Sequence, residues 1–111
     1  MVKPNVVKRG EIWLAALDPA LGSEIRKSRP CVVISPREMH DFLRTVIVVP
    51  MTTGSRPAPF RIPIQFQGKS GLILLDQIGT LDKARLIKRL GLVREAALTA
   101  TLGVLQEIFA P

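Results

Sequence analysis

Everything before Arg94 is cut by proline and glycine into short apolar runs, and only after it does a helical spacing of leucines begin. Runs of this length bounded by turn residues suit strands far better than helices. Ile12 to Leu17 alternates mildly and is stopped by Asp18-Pro19, which predicts a first strand and a turn. A loop carrying Gly22-Ser23-Glu24 then runs to Arg29. Pro30 biases Arg29 toward extended geometry, so a second strand, Cys31 to Ile34, is expected to start directly after the arginine. Ser35-Pro36-Arg37-Glu38 has the form of a capped helix start, predicting a short helix to Asp41 or Phe42. Thr45 to Met51 reads as a third strand, followed by a loop, Gly54 to Pro59, too rich in proline to continue it.

Phe60 to Phe66 reads as an edge strand, because Pro63 cannot donate to a ladder. Gln67 to Ser70 turns the chain into a fifth strand, Gly71 to Asp76. Thr80 to Lys83 predicts a helical turn and Arg85 to Leu92 a further strand. From Arg94 onward Leu98, Leu102, Leu105 and Phe109 share one helical face, although no cap residue marks the start. The expected fold class is mainly β with α (α+β): a small curled barrel with a C-terminal amphipathic helix.

A chain of 111 residues accommodates a single domain, 1–111. No apolar stretch is long enough to span a bilayer, no signal core stands at the start, and the lone Cys31 cannot form an internal disulfide. A cytoplasmic location without membrane association is expected. Sixteen Lys plus Arg against nine Asp plus Glu give a net charge of +7, which attracts polyanions within a Debye length of about 8–10 Å. Nucleic acid is the leading partner class; an acidic protein, or simple solubility, would satisfy the same charge.

Cutting an RNA phosphodiester without a metal needs one group to take the 2′-OH proton, one to stabilise added negative charge and one to assist the departing 5′-oxygen. His40 is the only histidine, which excludes an enzyme built on two imidazoles; its position beside the short helix predicts a partly exposed surface residue. Arg29 suits the charge-stabilising role, since a planar guanidinium can donate two hydrogen bonds to non-bridging phosphate oxygens. Its ordinary alternative is a surface pair with Glu24 or another acid. Glu24 is the only carboxylate inside the loop, able to accept a proton or, equally, to hold Arg26, Lys27 or Arg29 in place. Arg26 and Lys27 suit backbone phosphates. Lys83, Arg85, Lys88, Arg89 and Arg94 form either a phosphate track or a solvated face. Trp13 and Phe60 could stack on bases, though a large aromatic in so small a domain usually belongs to the core. Zinc spacing and a phosphate-binding glycine loop are both missing from the sequence, so no cofactor is expected.

Lys8-Arg9-Gly10-Glu11-Ile12-Trp13, the Gly22-Ser23-Glu24 loop, Ser28-Arg29-Pro30-Cys31-Val32-Val33-Ile34, Val48-Val49-Pro50-Met51-Thr52-Thr53 and Leu75-Asp76-Gln77-Ile78 together resemble the MazF/PemK toxins over nearly the whole chain. The resemblance implies a barrel of the SH3-like PemK/CcdB type, a homodimer, and a sequence-selective endoribonuclease acting on single-stranded RNA. It also implies an acidic antitoxin whose tail covers the basic groove. By the same resemblance Arg29 and Thr52 are the catalytic pair with Glu24 beside them, and Thr53 is the substitute if the register slips by one. Ser23, Arg26, Lys27, Thr53, Arg56, Asp76, Gln77, Arg85 and Lys88 are the expected RNA-binding residues. The chain departs from the family pattern at Ile25-Arg26-Lys27-Ser28, where small residues are usual, and at Gly79, where a basic residue often stands. A gyrase-binding toxin of the CcdB branch, which cuts nothing, is the competing expectation, and a ribosome-associated RNA-binding barrel a third.

Overall fold

The computed structural model describes residues 6–17 and 27–111. Its elements are β1 (Glu11–Leu17), β2 (Lys27–Val33), α1 (Arg37–His40), β3 (Thr45–Thr52), β4 (Arg61–Phe66), β5 (Lys69–Leu74), β6 (Gly79–Asp82), β7 (Leu86–Leu92) and α2 (Glu95–Ile108), with 3-10 turns at Leu75–Gln77 and Lys83–Arg85. The strands form one antiparallel sheet in the order β4-β5-β3-β2-β1-β7, with β6 pairing the first half of β3. That order makes β4 an edge strand, as Pro63 requires. No helix among the described residues is long and apolar enough to cross a membrane.

Alternation fails along Cys31–Ile34 and Val46–Met51 because both faces of the central strands are covered. On one face Ile12, Val32, Val49, Met51, Ile62 and Ile73 pack with Leu105 of α2. On the other, Val7, Trp13, Ala15, Cys31, Val33, Val46, Val48 and Leu86 fill the curl of the sheet. Fully burying one such aliphatic chain contributes about 1.5–3 kcal/mol, so the two clusters are the main source of stability.

Several sequence expectations are corrected. The second strand does not wait for Arg29: Leu17↔Lys27, Ala16↔Ser28 and Ala15↔Arg29 pair across β1 and β2, placing the arginine inside the ladder. The fifth strand is shifted toward the N-terminus, running from Lys69 to Leu74, and Leu75–Gln77 winds into a 3-10 turn held by Ile78 N–H on the Leu75 carbonyl. The helical turn expected over Thr80 to Lys83 is split. Thr45↔Asp82 and Ile47↔Thr80 pair as strand, and the turn begins at Lys83, where Asp82 accepts from Ala84 N at 2.8 Å. Phe109 leaves the apolar helical face, since α2 stops at Ile108 and the ring is 68% exposed. The expected Asp18-Pro19 turn lies outside the described residues.

Ser35 does not cap α1, which has no side-chain cap. Its hydroxyl faces inward instead, accepting from Ile47 N at 2.9 Å and sitting 2.6 Å from His40 Nε2. His40 is therefore not a surface residue: it is 4% exposed, and its Nδ1 lies 2.8 Å from the Val7 carbonyl. A carbonyl only accepts, so Nδ1 carries a proton toward Val7, and in the neutral ring Nε2 takes the Ser35 hydroxyl hydrogen.

Candidate active site

The β2–β3 ladder ends at Cys31↔Pro50. Two residues beyond that pair, on the same sides of their strands, stand Arg29 and Thr52. Here β3 leaves β2 and takes up β5, through Met51↔Ile73 and Thr52↔Leu72. The parting strands open a cavity of about 310 Å³, lined by Arg29, Pro30, Met51, Thr52, Thr53, Ile64, Phe66, Gln67, Lys69 and Gly71. Residues far apart in sequence thus line one cavity where the sheet divides.

Arg29 is half-buried, and among the described residues no carboxylate pairs with its guanidinium. Its charge is felt next door. Burial pushes the Cys31 thiol up to about 11 even though the Arg29 charge pulls it down, so this buried sulfur stays protonated at neutral pH and is not a nucleophile. Thr52 accepts a hydrogen bond from Gly54 N at 3.3 Å through Oγ1, a contact that leaves its hydroxyl hydrogen able to donate elsewhere. Thr53 is exposed beside it.

Gly71 decides how closely β5 approaches. A Cβ at that position would lie 2.8 Å from the Thr52 carbonyl oxygen, a backbone atom with little room to yield. Only glycine lets the hairpin lean on the end of β3.

Ser23, Glu24 and Arg26 lie outside the described residues; the backbone of Lys27 opens β2, and its side chain is likewise outside them. Arg56, Asp76, Gln77, Arg85 and Lys88 do not line this cavity. Asp76 receives both arms of Arg61, Nε and Nη2 each at 3.1 Å, while Arg61 Nη1 donates to the Arg56 carbonyl. The hydrogen bonds from Arg61 hold the Asp76 carboxyl below its ordinary range. Asp76 thus ties the 3-10 turn to the loop that follows Thr52. Arg85 donates to the Ala16 carbonyl. Arg89, part of the expected basic track, is bound at 3.0 Å to the carboxylate of Glu11. Trp13 is core, its ring nitrogen donating to the same carboxylate, and is not available for stacking.

Residues 8–109 match the family described as the PemK-like, MazF-like toxin of type II toxin–antitoxin systems. The chain belongs to the PemK/MazF toxin family. It is 38% identical over 108 residues to endoribonuclease PemK of Escherichia coli, covering 92% of this chain and 81% of that one. It is 35% identical over 97 residues to endoribonuclease MazF of Staphylococcus epidermidis, covering 82% of this chain and 81% of the relative. A MazE–MazF crystal structure from Deinococcus radiodurans superposes with a TM-score of 0.81 at 25% identity, over 93% of this chain and 95% of the other. The PemK/MazF fold is therefore the fold of this chain.

Sequence reasoning picked out Arg29, Thr52 and Thr53 but not the hairpin residues Phe66, Gln67, Lys69 and Gly71. A turn over Gln67 to Ser70 was visible, and the structure narrows it to Gln67-Gly68 because β5 already starts at Lys69; the register that brings it to Thr52 was not visible.

Proposed function

We propose that this PemK/MazF protein cuts single-stranded RNA by driving a ribose 2′-OH onto the adjacent phosphorus, leaving a 2′,3′-cyclic phosphate and a 5′-OH. An unpaired strand suits this attack because it can adopt in-line geometry and present its base edges. The observation that carries the reading is that Arg29 and Thr52 line one cavity. In it the Arg29 fork stabilises the charge growing on the non-bridging oxygens, and the Thr52 hydroxyl donates a further hydrogen bond to the phosphate. Glu24, from the loop before β2, takes the 2′ proton as the 2′-O–P bond forms, and as the P–O5′ bond breaks the leaving 5′-oxygen takes a proton from solvent water. No step calls for a metal.

Cutting messenger RNA would stop translation and growth. The protein acts in the cytoplasm as a homodimer, silenced by an acidic antitoxin whose charge complements the net +7 of this chain. Large apolar side chains left at the surface, Phe42 at 88% exposure and Phe109 at 68%, support association with partners.

Purified protein incubated with a mixed single-stranded RNA in EDTA should yield discrete fragments with cyclic phosphate ends. Arg29→Ala should lower cleavage by about 1000-fold, the scale of losing a charge-stabilising donor, with an unchanged circular dichroism spectrum. Full activity in that variant would remove Arg29 from the mechanism.

A further inference from the structure

β4 and β5 pair through Ile64↔Gly71 and Phe66↔Lys69. Alternation along each strand therefore puts Ile64, Phe66, Lys69 and Gly71 on one face of the hairpin, the face that borders the Arg29–Thr52 cavity. At its tip Gln67 has φ 53° and Gly68 φ 78°, two positive values in a two-residue connection, as in a type I′ turn. Such a turn favours asparagine or glycine at its first central position, and a glutamine there sits in a sparsely occupied backbone region. The backbone gains nothing from that side chain, which borders the cavity instead.

Lys69 is exposed, and among the described residues no carboxylate pairs with it. Among the described residues no carboxylate lines the cavity either, and Arg29 and Lys69 are the cations that do, a charge balance that favours an anionic ligand. At about 310 Å³ the space is at the small end of ligand sites, suited to one nucleotide unit and not to a folded duplex.

We propose that the β4–β5 hairpin tip is a nucleotide subsite beside the scissile phosphate. The half-buried Phe66, packed against the core, forms an apolar wall for a base, the Gln67 amide reads that base's edge, and the Lys69 ammonium holds the neighbouring phosphate. The subsite deepens the ribonuclease reading and rests on it. Gln67 and Lys69 are then residues of specificity and binding, not of bond cleavage.

The test uses labelled 2′-O-methyl oligonucleotides of A, C or U, which cannot undergo 2′-OH attack, so binding is read without cleavage. Lys69→Ala should weaken binding of all three about five- to tenfold near 0.1 M salt and flatten the log–log salt slope by about 0.7, the share of one single-strand phosphate. Lys69→Arg should restore both. Gln67→Gly, which relieves the turn while deleting the amide, should weaken one homopolymer more than the others. On cleavable RNA both variants should raise KM with kcat within about twofold, and Gln67→Gly should change the base frequency at one position next to the cut. Parental binding, salt slope and cut sites in Lys69→Ala and Gln67→Gly would overturn the subsite while leaving the ribonuclease reading intact. Weakened analogue binding in a protein that never cleaves RNA would keep the subsite and overturn the ribonuclease reading instead.

Discussion

At Gly71 a single methyl group separates a working site from a strained one. Because the added Cβ would press to 2.8 Å on the Thr52 carbonyl, Gly71→Ala has to push β5 away from β3 or rotate the Thr52 peptide. Overpacking of this kind costs about 1–3 kcal/mol, and a shift approaching an ångström at a reacting geometry costs about 100-fold in rate. The expected result is a modestly lower midpoint in urea and a fall in single-turnover cleavage that exceeds it, with RNA affinity less affected. Equal activity at reduced stability would show that Thr52 tolerates the displacement. Arg29 and Thr52 were picked out in the sequence because Arg29-Pro30 and Pro50-Met51-Thr52-Thr53 resemble the family's motifs; a surface arginine and a threonine ending a strand would alone have been weak signals, and the structure adds that both line one cavity. His40 was not legible. Its burial depends on the Ser35 hydroxyl and the Val7 carbonyl, partners that the chain brings together only when β3 closes over α1.

Between elements, the tie most exposed to conditions joins β1 to β7. Glu11 is 5% exposed and accepts from Lys8 N and Trp13 Nε1 at 3.0 Å each, and from Arg89 Nε at 3.0 Å. Burial pushes its carboxyl up, but these hydrogen bonds and the Arg89 charge outweigh it, and the net direction is below the ordinary value of 4.5. The unfolded chain therefore binds the proton first as pH falls. The contribution is fully present above about pH 4.5 and is lost as pH drops through the lower, folded value. Asp76 acts in the same direction but on the surface, so added salt should screen its share and leave that of Glu11. Urea unfolding at pH 7, 4.5 and 3.5 should show stability falling with pH, and Glu11→Gln should lower it by about 1–2 kcal/mol at pH 7 while flattening that fall. A parental pH slope in Glu11→Gln would assign the acid sensitivity to other carboxylates.

The strands themselves were visible as apolar runs, and the edge position of β4 followed from Pro63. The bounds of β5 and β6 were not visible, because β3 pairs with β6 along its first half and β5 along its last, a division no local pattern records.

Across the whole molecule the question is whether the net charge of +7 serves recognition or only solubility. The fold sorts its cations unevenly. Arg61 and Arg89 are taken by Asp76 and Glu11, whereas Arg29 and Lys69 face the cavity. An RNA strand crossing that cavity displaces condensed counterions in proportion to the phosphates it engages, each contributing about −0.7 to the slope of log affinity against log salt. If three phosphates are engaged the slope is about −2, and kcat/KM at low substrate should fall about 20-fold between 50 and 200 mM sodium chloride, with kcat at saturation nearly flat. Charge kept for solubility alone would leave kcat/KM almost independent of salt, since no phosphate contact would be lost. A steep slope that persists in Arg29→Ala, measured by binding of a non-cleavable analogue, would place most of the attraction outside the cavity, on exposed cations such as Lys88 and Arg56. A slope that shallows by one phosphate in that variant would locate the charge recognition at the parting of β2 and β3, where the scissile group has to sit.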